Sequence, residues 1–401
     1  MASQEMDPTT DPQVSALRSM LSRRGFFTAA GAVGAASVLA ACGTGGGSAS
    51  PSVSFPADTS DVDKLVRWAN WTLYLDVDGK RYPTLEAFTK QTGIKVDYRE
   101  DVDDNNTFWG KVNGQLKTKK DIGYDIVTLT DWMAARMIQY GYTQPLDAAK
   151  VPNKANILTA LGNVTFDPGR QRTLTWQSGF AGLVWNKEKV PQGLKSVDDL
   201  WQPALKGKVT VLSEMRDTMG CLLMSQGVDI TKSIRDDQFA TALELLKKQL
   251  SSGQIYKVQG NQYKNDLING TAWAGIMWSG DIFQLNAENG DKWGFALPES
   301  GGTLWSDNMM IPSTSSHQSA AMELMNYYYD PAVAAKVAAY VNYICPVQGA
   351  QAEMEKIDPK LATSEFIFPS ADTLARAKTF VALDAAQEQS FNDLWLTAIG
   401  Q

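Results

Sequence analysis

The chain is poor in the residues most enzymes use for acid–base, nucleophilic or metal chemistry: its 401 residues include one histidine, His317, and three cysteines, Cys42, Cys221 and Cys345. No C-x-x-C pair and no Cys/His metal-ligand spacing occurs, so neither a metal centre nor a redox dithiol is expected, and no cofactor is implied. No G-x-S-x-G elbow is present, and the Gly-Lys pairs at Gly79, Gly110 and Gly207 lack the following Ser or Thr of a P-loop. Triad hydrolysis and nucleotide hydrolysis therefore lose support. His317 sits in the polar stretch Pro312-Ser313-Thr314-Ser315-Ser316-His317-Gln318 ahead of a helix, where a solvated imidazole is expected rather than a catalytic one. Cys221 and Cys345 read better as two buried thiols than as a disulfide formed after export. Positive charge is also in deficit: 37 Lys and Arg against 44 Asp and Glu give a formal charge of −7, which argues against a nucleic-acid partner and favours cationic ligands.

Long apolar runs are missing as well. The only candidate, 25–41, is rich in Gly and Ala and falls short of the roughly 20 apolar residues of a membrane span. It follows Ser22-Arg23-Arg24-Gly25-Phe26-Phe27 and ends in Leu39-Ala40-Ala41-Cys42. Together these resemble a twin-arginine secretion signal and the lipobox of bacterial lipoproteins, which implies cleavage before Cys42, acylation of its sulfur and a lipid anchor outside the cytoplasm. Loss of 1–41 removes Arg18, Arg23 and Arg24 with Glu5, Asp7 and Asp11, so the formal charge stays at −7. The Gly/Ser-rich start of 42–63 cannot bury apolar surface and reads as a flexible tether. What remains, about 340 residues, is long enough for two lobes.

Strand and helix signals then alternate. Strands are expected at 65–69, 94–98 and 124–129, with helices at 84–92 (capped by Thr84 and stopped by Gly93), near 108–116, and at 131–140. Similar alternation continues through strands at 182–186, 209–212 and 274–278, and the helical spacing of 231–250 is ordinary core. This is the pattern of βαβ units on mostly parallel sheets, an α/β fold whose ligands bind beyond the carboxyl ends of the strands. Residues in those places are unusually aromatic and acidic: Asn70-Trp71-Thr72-Leu73-Tyr74, Thr130-Asp131-Trp132, Ser213-Glu214-Met215-Arg216-Asp217, Trp278-Ser279-Gly280, Trp305-Ser306-Asp307-Asn308 and Asn342-Tyr343-Ile344-Cys345-Pro346.

These segments, with Tyr124-Asp125-Ile126-Val127, Phe166-Asp167-Pro168, Val197-Asp198-Asp199-Leu200-Trp201, Gly275-Ile276-Met277-Trp278 and Pro298-Glu299-Ser300-Gly301-Gly302, resemble in order the spermidine/putrescine-binding proteins of bacterial ABC transporters, from about Lys64 to the end. The resemblance implies a two-lobed periplasmic-binding-protein fold of type II kind, each lobe a mostly parallel sheet flanked by helices and joined by crossing hinge strands. Lobe 1 is expected over 64–181 and 307–351, and lobe 2 over 182–306 and 352–401. It also implies a monomer that captures a polyamine and delivers it to a membrane permease whose ATPase is another chain. No enzymatic activity is expected.

A polyamine needs carboxylates at its ammonium groups and flat apolar walls along its methylenes, because a desolvated cation is costly unless acceptors replace its water. By position, the resemblance assigns Glu214, Asp217 and Asp307 as carboxylates. Trp71, Tyr74, Trp132, Trp278, Trp305 and Tyr343 become walls, with Thr72 and Thr130 as polar contacts. Each residue has a plainer reading too, the aromatics as core and Glu214 with Asp217 as a helix-start pair beside Arg216. The chain departs from the family in two places. Leu73 stands where an acidic residue is common, which leaves Asp76 or Asp131 as substitutes, and Val381 is the nearest position to the family's C-terminal glutamine. Another small amine or a sugar is the alternative ligand, and a secreted carbohydrate-active enzyme using Glu214 and Asp307 is the alternative class.

Overall fold

The structure, a computed structural model, describes residues 54–400; the signal segment, Cys42 and the first part of the tether lie outside the described residues. Ten strands form the sheet: β1 (Leu65–Trp71), β2 (Lys95–Val102), β3 (Ile126–Thr130), β4 (Thr173–Asn186), β5 (Val209–Leu212), β6 (Ile255–Gln259), β7 (Ala274–Trp278), β8 (Trp293–Ala296), β9 (Gly302–Met310) and β10 (Ala377–Lys378). The order β2-β1-β3-β9-β4-β7-β5-β6 has two parallel outer parts, β2-β1-β3 and β7-β5-β6, around a central antiparallel pair, β9 and β4. β10 pairs with β9 and β8 with β4.

The period of two in β1 and β3 explains why the first outer part is covered on both faces. Val66, Trp68 and Ile126 enter one core with Phe88, Trp176, Met309 and Tyr328, while Ala69, Val127 and Leu129 enter another with Phe108, Val112 and Met133. A third core gathers Leu183, Val211, Ile276, Leu222 and Phe239 with Phe391 and Trp395 from the C-terminal helix Ala385–Ile399. Met354, Ala362 and Ile367 pack in the first of these cores.

Helix ends follow local chemistry. Gly93, at φ 76°, ends the helix Pro83–Thr92 in the left-handed conformation that glycine adopts without a Cβ penalty. Thr84 does not cap that helix as expected. Pro83 takes the first helical position, and the carboxyl of Asp76, eight residues upstream, accepts the Thr84 N–H at 3.0 Å and also the Thr84 hydroxyl. Asp76 is thereby buried in the first core's polar edge beside Tyr328.

Two expectations about polar segments also change. Residues 58–63 of the expected tether are docked: Thr59 N–H donates to the Ser316 carbonyl at 2.7 Å, and Asp58 and Ser60 accept from Ser319 and Ala320 at the start of the helix Gln318–Tyr328. His317 is buried rather than solvated. Its ring nitrogens lie 3.0 Å from Asp125 and 3.1 Å from Asp63, because the buried Asp125 carboxylate draws in every nearby donor, including Arg67 and Ser315. Burial alone would raise the Asp125 pKa, but the Arg67 guanidinium and backbone N–H bring it below the ordinary value.

Cys221 and Cys345 are separate buried thiols, each pushed up to about 12 by burial. Among the described residues no helix is long and apolar enough to cross a membrane, and no group of three or more His, Cys, Asp and Glu is placed to hold a metal ion.

Close sheet packing makes a test of the architecture. A Cβ on Gly275 of β7 would stand 1.9 Å from the Thr210 carbonyl oxygen of β5, whereas one on Gly110, in the helix Asn105–Lys117, meets nothing within 4 Å. Gly275→Ala should destabilise the protein by about 2–3 kcal/mol through overpacking. Gly110→Ala should stabilise it by roughly 0.5–1 kcal/mol through helix propensity. Urea unfolding of both variants checks this pair, and equal midpoints would contradict the strand register.

Candidate functional site

A cavity of about 330 Å³ opens where β3 and β5 deliver their carboxyl ends toward the middle of the sheet. Its walls include Thr130, Asp131 and Trp132 after β3, Glu214, Arg216 and Asp217 after β5, Thr303 and Trp305 of β9, and Phe380 and Val381 after β10. The strand registers explain the convergence. Thr130 pairs with Asp307 across β3 and β9, and Trp305 pairs with Gly179 across β9 and β4.

Asp307 is buried behind the lining residue Thr130, accepting from the Thr130 hydroxyl at 2.7 Å and the Tyr74 hydroxyl at 2.9 Å. Burial pushes its pKa up to about 7; those two hydrogen bonds pull it down, and Asp131 and Asp217 add repulsion. Asp217 accepts from Thr303 Oγ1 at 2.6 Å and from the Trp278 indole at 2.8 Å, and its pKa is raised by burial. Glu214 is the N-cap of the helix Met215–Ser225 and is pushed up to about 8, chiefly by burial, although Arg216 opposes the shift. The carboxyl of Asp131 is bonded by Asn308 at 2.7 Å and is likewise raised by burial.

The aromatic residues form a chain rather than a uniform wall. Tyr343 stands edge-on to Tyr74 at 5.7 Å and to Trp305 at 5.2 Å. Its hydroxyl donates to Asp281, which also receives Asn261, Tyr263 and Lys264. The rings seat this closely because two neighbours are glycines: a Cβ at Gly179 would lie 2.4 Å from Trp305, and one at Gly280 would lie 2.5 Å from Tyr343.

Of the eleven ligand residues expected from sequence, Thr130, Trp132, Glu214, Asp217 and Trp305 line the cavity. Tyr74, Trp278, Asp307 and Tyr343 are hydrogen-bonded or packed directly onto those lining residues or onto each other. Trp71 packs between the first two cores, and Thr72 is exposed; neither lines the cavity. Asp76 is held elsewhere by Thr84. The exposed Leu73, at φ 57°, instead donates its N–H to Glu100 at 3.1 Å, so a carboxylate from β2 stands beside the position that lacks one.

Sequence reading missed a second group. The Arg216 guanidinium lies 4.3 Å over the Trp132 ring and Arg136 lies 5.0 Å from the same ring. Both arginines bond to Glu388 of the C-terminal helix, at 2.5 and 2.7 Å. Arg216 was visible between Glu214 and Asp217, but nothing in the sequence points to Glu388, 252 residues from Arg136. The cavity's other cation, Lys378, is exposed and donates to the Ala375 carbonyl at 2.9 Å. Among the described residues the buried carboxyls Asp217 and Asp307 thus have hydroxyl or indole donors and no salt bridge, with Arg216 lowering the pKa of Asp217 only from a distance.

The chain is also similar to known proteins. The chain is 28% identical over 323 residues to a spermidine/putrescine-binding periplasmic protein of Salmonella typhimurium, covering 80% of this chain and 88% of that protein. It is 26% identical over 350 residues to the putrescine-binding periplasmic protein PotF of Escherichia coli, covering 83% and 90%. The solved structure of the spermidine/putrescine ABC transporter substrate-binding protein PotD from Streptococcus pneumoniae superposes with a TM-score of 0.71 at 25% identity, covering 83% of this chain and 98% of that one. The fold is the two-lobed fold of such binding proteins. Residues 84–363, more than half of the chain, match the family described as bacterial extracellular solute-binding protein, and the chain belongs to that family, one of binding proteins rather than enzymes.

Proposed function

We propose that this protein captures a polyamine of the putrescine or spermidine kind in the cleft between its lobes and hands it to the membrane permease of an ABC importer powered by a separate ATPase chain. The observation that carries the reading is the cation deficit around Asp217 and Asp307. Both are buried carboxyls raised by burial, both are hydrogen-bonded by an indole or a phenol, and among the described residues neither forms a salt bridge, Arg216 acting on Asp217 only from beyond contact distance. An ammonium group supplies the missing charge, and Trp305 and Trp278 offer flat faces to the methylenes, each worth about 0.5–2 kcal/mol to a desolvated cation. A sugar would leave the carboxyls uncompensated.

The lobes are proposed as 64–181 with 307–351 and as 182–306 with the C-terminal segment. The packing of Met354, Ala362 and Ile367 in the first core favours starting the return to lobe 2 after about 368 rather than at 352. β4 and β9 then serve as the crossing strands, and hinge closure across them buries the ligand. Arg136, on a helix of the β3 side, reaches Glu388 on a helix of the third core, a contact suited to holding the lobes together. Acylation at Cys42 is proposed to tether the protein, as a monomer, to the outer side of a membrane.

Two outcomes follow from the charge deficit. Asp307→Asn should weaken amine binding at least tenfold by calorimetry, since loss of one partner of a buried charge pair costs about 2–5 kcal/mol. Parent-like affinity would remove Asp307 from the site. The ordinary carboxyl values, 3.8 for Asp307 and 4.5 for Glu214, rise in the folded chain to about 7 and about 8. Between those limits the unliganded fold binds more protons than the unfolded chain, so this stabilisation is complete at low pH and is lost as pH rises through about 7 to 8. An ammonium ligand beside Asp307 displaces its proton. Affinity should therefore increase from pH 6 to about pH 8, above which the amines themselves lose protons, with proton release at pH 6 detected as a buffer-dependent binding enthalpy, and a flat profile over that range would contradict the assignment.

The anchor has its own test. Cys42→Ala should move the protein from the membrane fraction to the soluble fraction after export, because a diacylglyceryl thioether supplies the two chains that stable attachment needs. Unchanged membrane partition would exclude acylation at Cys42.

A further inference from the structure

We propose that Arg216 is a specificity-determining residue: a cation supplied by the chain itself fills one acid-and-aromatic box of the cleft and restricts the ligand to fewer ammonium groups than the carboxyls present would otherwise admit. The inference rests on the amine-binding reading. Three observations converge on it. Arg216 lines the cavity and is only 7% exposed. Its guanidinium stacks 4.3 Å over Trp132, with Nη1 4.0 Å from Glu214 and Nη2 2.5 Å from Glu388. A flat aromatic face between two carboxyls is the environment a ligand ammonium requires. In this protein that environment is already occupied, and Arg136, bonded to the same Glu388 and lying against the same ring, fixes the carboxylate from the other side.

The place left for a ligand lies along β9. Thr303, Trp305 and Asp307 alternate onto one face of that strand. Thr303 holds Asp217 at one end and Asp307 stands at the other, with the Trp305 ring between. Four residues of strand span about 13 Å, and a hydrogen bond of about 3 Å at each end leaves room for a short chain with an ammonium at each terminus. A third ammonium would have to enter the Trp132 box and meet Arg216. The geometry therefore selects a diamine over a triamine. Replacing Arg216 should vacate a further cation subsite made of Trp132, Glu214 and Glu388.

The test compares putrescine with spermidine by calorimetry in the parent, Arg216→Ala and Arg216→Met, the last keeping apolar bulk over Trp132 if the alanine variant does not fold. The parent should favour putrescine, and vacating the box should shift the affinity ratio toward spermidine by tenfold or more in Arg216→Ala. A parent that binds spermidine tenfold more tightly than putrescine, or a ratio within twofold of the parent in both variants, overturns the proposal. A second readout does not depend on polyamine binding. Millimolar methylguanidinium should raise the melting temperature of Arg216→Ala and leave that of the parent unchanged. If the parent binds neither amine, the polyamine reading fails, and guanidinium rescue then decides the filled box alone: rescue supports it, and no rescue overturns it.

Discussion

The antiparallel pairing of β4 with β9 is the constraint on which the rest of the site depends. β9 is bonded to β4 over Thr303–Met310, to β3 over Asp307–Met310 and to β10 at its start, so its side chains are fixed relative to both neighbours. The register Thr130 to Asp307 delivers a hydroxyl to a buried carboxyl, and Gly179 opposite Trp305 gives the indole a place to lie. A slip of one residue in either pairing would turn Thr303, Trp305 and Asp307 to the opposite face. The cleft is consequently a property of strand register before it is a property of any one acidic residue.

Electrostatics separates structural carboxyls from those suited to a ligand. Asp125 is as buried as Asp307, yet Arg67 brings its pKa down while that of Asp307 is pushed up to about 7. Asp281 collects Lys264 and three neutral donors. Asp217 and Asp307 receive neutral donors only, which orient a carboxyl without supplying the charge that would keep it ionised at low dielectric. In the proposed function that remaining deficit is what a cationic ligand removes.

Much of this was legible in the sequence because it is local. The alternation of strand and helix, the Gly93 stop and the clustering of aromatic and acidic residues past strand ends depend on neighbours within a few positions, and the structure places most of the expected elements within a few residues, the exception being β4, which begins at Thr173 rather than 182. What could not be read depends on partners far along the chain. His317 gains Asp63 and Asp125, and Asp58 docks on Ser319, so a loop histidine is buried and the end of a tether is ordered. Thr84 yields its capping role to Asp76 because Pro83 already sets the first helical turn. Glu388 enters the cleft region from a C-terminal helix that carries no local sign of it.

Trp132 shows why position and role have to be argued separately. Its placement at the end of β3 follows from the strand pattern, and its buried ring lines the cavity as a ligand wall would. Its cation, however, is Arg216, a planar guanidinium tethered to the chain that stacks on the ring and bonds sideways to Glu388. An ammonium ligand competes for such a place only if it displaces that side chain and leaves Arg216 buried without a partner, which is expensive. A carboxylate and an aromatic ring become a binding site only where the chain has not already supplied the cation. In the proposed site that condition is met along β9 and is not met at Trp132.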